Sequence, residues 1–431
     1  MLSLVAIAGV LAVIVWLALP RLPGRVRQHL PKPVAGLGVA PLPQALPAPA
    51  RLDDSGPGVA LLQELAEATP VVPVASPAAS ASVRPPAASR PSLPTPAPEP
   101  TAAPVLTSLP PYGRIAGVPI VPQKFNNCGP TNLTLVLNYY GVDVDQFDVA
   151  GVARPNYEDR NVSPDELIAY VNEQTMLEAR HYVGGDVDTL RRLIAAGFPV
   201  IIEKGLEPDE ATGWMGHYLT IYGYDDVTRH LYVRDTYLGP WKGDGLASYD
   251  ATARYWAQFN GAFIVVYPPE RTGELGLVLG PDFGEPGVMW AAAAERARAA
   301  ARRQPDDPFA WYNLGSSLTA LAANDPTLFE PAAAAFDQAR LLGLPARMLW
   351  YQFAPYEAYL AAGRAGDVLA LTEATLATQG GRNVEETWLY RGRALRLTGD
   401  EAAARDAFAR AVELNPTSAI GLAAGSELDA D

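Results

Sequence analysis

The stretch "VPIVPQKFNNCGPTNLTLVLNYYG", residues 118–141, holds Cys128, the single cysteine of the 431-residue chain. A lone cysteine is most often a small core hydrophobe. Here its neighbours are Asn126, Asn127, Gly129 and Pro130, poor company for a packed thiol. Apolar residues recur with helical spacing after Pro130, and Gly141 supplies a stop. Pro130 suits a first helical turn, where its missing N–H needs no partner. The spacing therefore predicts a helix that starts at about Cys128. Unpaired N–H groups and the helix dipole favour an anion there. A thiolate is an anion, so the thiol pKa should fall. Such a nucleophile needs a base and donors for an oxyanion.

The chain has four histidines. His29 lies far upstream, His230 at a turn in "VTRHLYV", and His181 after a helix. His217 opens the strand-like "GHYLTIYGYDD", with Gly216 before it leaving room for a substrate chain. Eighteen residues on, Asp235 ends the next strand in "VRDTYLG". Neighbouring antiparallel strands would set His217 beside Asp235, whose carboxylate could orient the imidazole. The competing reading of Asp235 is an Asx turn. Asp225 and Asp226 read as a hairpin tip. Gln123, five residues before Cys128, is a candidate oxyanion donor with the Cys128 backbone N–H, or else a loop residue. Trp214 and Trp241 are candidates for the rim of a cleft or for the core.

Around this set, "GVPIVP", "FPVIIE", "HYLTIYGY", "HLYVRD" and "AFIVVYP" read as strands. "SPDELIAYVNEQ" reads as a helix with Ser163 as N-cap and Glu166 in capping-box register. "DVDTLRRLIAAG" reads as another helix. Helices first and strands after is an α+β pattern. "VPIVPQKFNNCGPTNLTLVLNYYG", "GHYLTIYGYDD" and "LYVRDTYLG", in that order, resemble the C39-like group of papain-like cysteine peptidases. The resemblance covers residues 112–270. It implies Cys128 as nucleophile, His217 as general base, Asp235 as orienting acid and Gln123 as oxyanion donor. Relatives that process double-glycine leaders are usually fused to an exporter, and no transporter sequence is present here.

Beyond a Gly-rich stretch, residues 271–287, the chain turns helical and Ala-rich. "WLYRGRALRLTGDEAAARDAFARAVELNP" resembles the tetratricopeptide (TPR) pattern. Trp388, Gly392 and Leu395 fall on a first helix, Ala404, Phe408 and Ala411 on a second, and Pro416 ends it. Thirty-four residues earlier, Ala370, Ala374 and Ala377 hold the second-helix places. Trp311, Gly315, Leu318, Phe336 and Ala339 fit an upstream repeat with a short insertion. About three repeats with a leading cap helix are expected over residues 288–431, as an all-α domain that recruits a protein partner.

The chain is 49% hydrophobic and 19% charged, enough for a sizeable core, and its net charge of −14 argues against nucleic acid as a partner. One cysteine and scattered histidines predict no metal site, and no cofactor is expected. Residues 1–20 open with 19 uncharged residues, about a bilayer span. They are expected to be an uncleaved transmembrane anchor. Arg21, Arg25, Arg27 and Lys32 follow it, which the positive-inside rule would keep cytoplasmic. The stalk-like composition of residues 21–111, a Pro/Ala-rich linker expected to be disordered, argues instead for extracytoplasmic domains. The expectation is thus a membrane-anchored cysteine peptidase acting on a peptide or protein. The alternatives are a non-catalytic peptide-binding scaffold, or an acyltransferase or cell-wall amidase with the same nucleophile.

Overall fold

A computed structural model describes residues 45–49, 109–210, 212–239 and 245–430. The first part is α+β. In chain order it runs β1 (Tyr112–Arg114), α1 (Cys128–Tyr139), α2 (Gln146–Ala153), α3 (Pro164–Gln174), β2 (Glu178–Tyr182) and α4 (Val187–Ala195). It continues with β3 (Val200–Leu206), β4 (Met215–Asp225), β5 (His230–Arg234), β6 (Leu246–Ser248), α5 (Tyr249–Ala257) and β7 (Phe263–Tyr267). The strands form one antiparallel sheet in the order β2-β7-β3-β4-β5-β6, with β1 also on β4.

The sheet divides two cores by strand alternation. Ile201, Tyr218, Ile264 and Val266 join Leu133, Val136, Leu137 and Leu167 of α1 and α3 on one face. Val200, Ile202, Phe263 and Val265 face the other way, into a core shared with α4 and the C-terminal helices. The α3 start is a capping box: Ser163 Oγ accepts from Glu166 N, and Glu166 accepts from Ser163 N.

Helices α6 (Thr272–Leu279) and α7 (Pro286–Arg303) come next. Three antiparallel helix pairs follow: α8 (Pro308–Ala322) with α9 (Phe329–Leu342), α10 (Ala354–Ala361) with α11 (Ala365–Leu376), and α12 (Glu385–Leu397) with α13 (Glu401–Leu414). A final helix, α14 (Ala419–Asp429), covers the last pair. In two pairs a glycine lets a phenylalanine ring reach the facing helix. A Cβ on Gly315 would lie 2.7 Å from Phe336, and one on Gly392 would lie closer still to Phe408.

Several expectations change. "GVPIVP" forms no strand, since Pro119 and Pro122 cannot donate to a ladder, and the paired strand is β1, just upstream. The stretch at 271–287 is not a bare linker: α6 fills part of it, and Leu275, Leu279 and Phe283 are buried in the main core. Within the Pro/Ala-rich stretch, residues 45–49 lie against the C-terminal helices, with Leu46 buried. The expected membrane localisation is corrected: among the described residues no helix is long and apolar enough to cross a membrane. The longest of these helices, α7, spans 18 residues and carries Glu295, Arg296, Arg298, Arg302 and Arg303. Residues 1–20, on which the anchor rested, lie outside the described residues, as do His29 and Trp241.

Candidate active site

Cys128 is the first residue of α1, with Asn127 as N-cap. The loop that delivers it is pinned from α2. Gln146 Oε1 accepts from Lys124 N (2.7 Å), Thr131 Oγ1 (3.0 Å) and Asn127 Nδ2 (3.2 Å). Arg154 Nη2 donates to Asn127 Oδ1 at 2.7 Å. Asn126 takes the left-handed conformation (φ 57°) that turns the chain into the helix.

His217 comes from the first half of β4 and is fully buried. Its Nε2 lies 3.1 Å from Asp235 Oδ1. The same oxygen accepts from Tyr237 N (2.9 Å) and Leu238 N (2.7 Å). Asp235 thus makes both kinds of contact: one carboxylate oxygen lies against the imidazole and accepts the N–H groups of the turn that follows. The nitrogen left for the thiol is Nδ1, which has no other partner. Thiol and imidazole influence one another without a hydrogen bond of ordinary geometry, as is common before substrate tightens a site.

Electrostatics favour an ion pair. Burial alone would push the Cys128 thiol up, but His217 and the backbone N–H groups of Tyr218 and Gly129 bring it below the usual thiol value. Burial would likewise lower His217, but Asp235 and the thiol raise it to about 9. Asp235, despite burial, falls to about 2 because of His217 and the N–H groups of Leu238 and Tyr237. Each shift moves its group toward the charged member of a thiolate–imidazolium pair.

Gln123 is positioned by a relay that sequence reasoning missed. Thr220 Oγ1 donates to Asn132 Oδ1 at 2.7 Å. Asn132 Nδ2 donates to Cys128 O (2.8 Å), Tyr218 O (3.0 Å) and Thr236 Oγ1 (3.1 Å). Thr236 Oγ1 then donates to Gln123 Oε1 at 2.8 Å, and Gln123 N bonds Thr236 O at 2.9 Å. With its oxygen held, Gln123 keeps its Nε2 end for another acceptor. Two hints were present in the sequence: Asn132 lies one turn beyond Cys128, and Thr236 is next to Asp235.

The space beside Cys128 is tight, bounded by Arg160, Glu203, Tyr218 and Tyr351 among others. Glu203 is buried, and desolvation plus the nearby thiolate charge push its carboxyl well above the usual range. The room expected over Gly216 is taken: a Cβ there would meet both Phe259 and Tyr351 at 2.9 Å. Tyr351 belongs to the C-terminal helical part, so that part forms a wall of the site. Trp214 stacks on Phe259, with rings 5.8 Å apart, and sits in the core. Among the described residues no group of His, Cys, Asp or Glu is arranged to hold a metal ion.

None of the curated proteins matches this chain. A crystal structure from Bacillus anthracis, described as a candidate C39-like peptidase, aligns with a TM-score of 0.30 and 18% identity, covering 36% of this chain and 96% of its own. The model of the Peptidase_C39 like family matches residues 115–264, so Cys128, His217, Asp235 and Gln123 all lie within a C39-like α+β domain, and a helical region follows it.

Proposed function

We propose that this domain, over residues 112–270, is a cysteine peptidase. Cys128 attacks as a thiolate on the carbonyl carbon of a peptide bond. The oxyanion is held by Gln123 Nε2 and the Cys128 N–H. The His217 imidazolium gives its proton to the departing amine. The neutral imidazole then takes a proton from water, whose oxygen attacks the thioester, expels the Cys128 thiolate and releases a carboxylic acid. Asp235 keeps the ring oriented and its charged form stable. The helix pairs of residues 288–431 are read as TPR-like repeats that recruit a protein substrate or partner. The Gly315–Phe336 and Gly392–Phe408 contacts support that reading.

The observation that carries the proposal is the His217–Asp235 contact at 3.1 Å together with a depressed Cys128 thiol. The test is alkylation by iodoacetamide across pH 4 to 10. The wild-type thiol should stay reactive well below the ordinary thiol range, with a second step near pH 9 as His217 loses its proton. His217→Ala should remove the low-pH limb. An ordinary, slow thiol profile in the wild type would sink the proposal.

A further inference from the structure

Residues 45–48, Ala-Leu-Pro-Ala, lie against the end of α9 and the turn that follows it. The contact has three polar elements. Leu46 N donates to Leu344 O at 2.9 Å, with Ala45 bridged antiparallel to Pro345. Arg340 Nε donates to Pro47 O at 2.9 Å. Arg340 Nη2 donates to Ala48 O at 3.0 Å. Leu46 is 6% exposed and belongs to the main core.

The guanidinium is held ready for this task. Arg340 Nη1 donates to Asp367 at 2.8 Å, and the group lies over the Tyr359 ring, 5.2 Å from its centroid. Arg364 bonds both Asp337 and Asp367, which fixes the acids in turn. Two arginines and two aspartates leave this cluster with no net charge. One edge of Arg340 is thus spent on acid, and the other presents two N–H groups. Its side chain is 1% exposed, so those two donors find their acceptors in the carbonyls of Pro47 and Ala48. Both chain segments place proline where no donor is needed. Pro47 and Pro345 lack N–H groups, so the single Leu46–Leu344 bond leaves no orphan donor at either proline.

We propose that this groove is a recognition site for extended, uncharged Leu-Pro peptide segments, and that the chain's own residues 45–48 are its resident ligand. The leucine fills the apolar pocket. The two carbonyls that follow are read by Arg340, and the proline excludes segments that would bring an unpaired N–H. Pro41-Leu42-Pro43-Gln44, Ser92-Leu93-Pro94-Thr95 and Ser108-Leu109-Pro110-Pro111 carry the same uncharged pattern in this chain. An external segment of this chemistry has to displace the internal one, whose tethering gives it a high effective concentration. The proposal is independent of the peptidase reading.

The test uses the full chain and a fluorescent peptide with the sequence of residues 43–50, followed by polarisation. Wild type should bind it weakly. Leu46→Asp, which evicts the internal segment while leaving the groove intact, should bind it at least about tenfold more tightly. The same peptide carrying aspartate for leucine should not bind that variant. Circular dichroism establishes that Leu46→Asp is folded. As a second measure, the Leu46 amide of the wild type should exchange slowly with deuterium. A folded Leu46→Asp chain that gains no peptide binding overturns the proposal. So does equal binding of both peptides, or a freely exchanging Leu46 amide in the wild type.

Discussion

Thr236 decides which end of the Gln123 amide is free. Its hydroxyl takes a hydrogen bond from Asn132 and gives one to Gln123 Oε1. Thr236→Val keeps the shape and removes both bonds. Gln123 can then turn over, and the proposed oxyanion donor is misplaced. Turnover of a peptide substrate should fall by about tenfold or more with little change in KM. Alkylation of Cys128 by iodoacetamide, which passes through no oxyanion, should be unchanged. Equal loss in both assays would mean that the threonine merely supports the fold. At this scale the sequence was informative where chemistry is local. A thiol amid Asn and Gly, a His after Gly and an Asp at a strand end could each be recognised by residue type. The relay could not, because Asn132 and Thr236 meet only through a contact 104 residues apart in sequence. The reading of Gly216 as open space failed for the same reason: its filler, Tyr351, arrives from another part of the chain.

Helix pairs show where small residues are structural. Gly392 admits the Phe408 ring, and a Cβ there would overlap it. Gly392→Ala should destabilise by about 1–3 kcal/mol through overpacking. A Cβ added to Gly276, within α6, would meet nothing within 4 Å. Gly276→Ala should stabilise by about 0.5–1 kcal/mol, through helix propensity alone. Urea denaturation of both variants checks the contrast, and the same sign at both sites would contradict it. Strong periodicity and caps made most helices legible, as with Ser163 and Glu166 in α3. Strand β2, "EARHY", escaped notice because only Ala179 and Tyr182 of its five residues are buried. Helix α6 was hidden by its glycines, which mark a linker in sequence but here sit on a helix whose Leu275 and Leu279 reach the core.

Across the whole molecule, the C39-like domain and the helical part share buried acid. Asn415 Nδ2 donates to Glu166 Oε1 at 3.1 Å, while Asp159, Glu385 and Glu386 are buried nearby and Arg154 faces the group. Burial, then repulsion from Glu385, pushes Glu166 up to about 8. A carboxyl raised above its unfolded value of about 4.3 binds more protons in the folded state. Its contribution is therefore lost as pH rises from about 4 through about 8. Glu166→Gln should leave Tm nearly unchanged at pH 4 and raise it relative to wild type at pH 8.5. A Tm difference independent of pH would refute this. The two parts also meet at Tyr351, so Tyr351→Ala should speed alkylation of Cys128 several-fold by widening the space beside it, and an unchanged rate would mean that access lies elsewhere. The Ala45–Ala48 contact has a consequence for handling the protein. That segment is held on the helical part, while Pro110 and Pro111 are held on the sheet through Tyr224 and Asp226. A protease nick between residues 50 and 108 would cut the tether between these two anchors, and the upstream piece would then stay only as tightly as the Leu46 contact and the two Arg340 donors hold a free peptide. Native mass after such a nick would therefore read the strength of that contact.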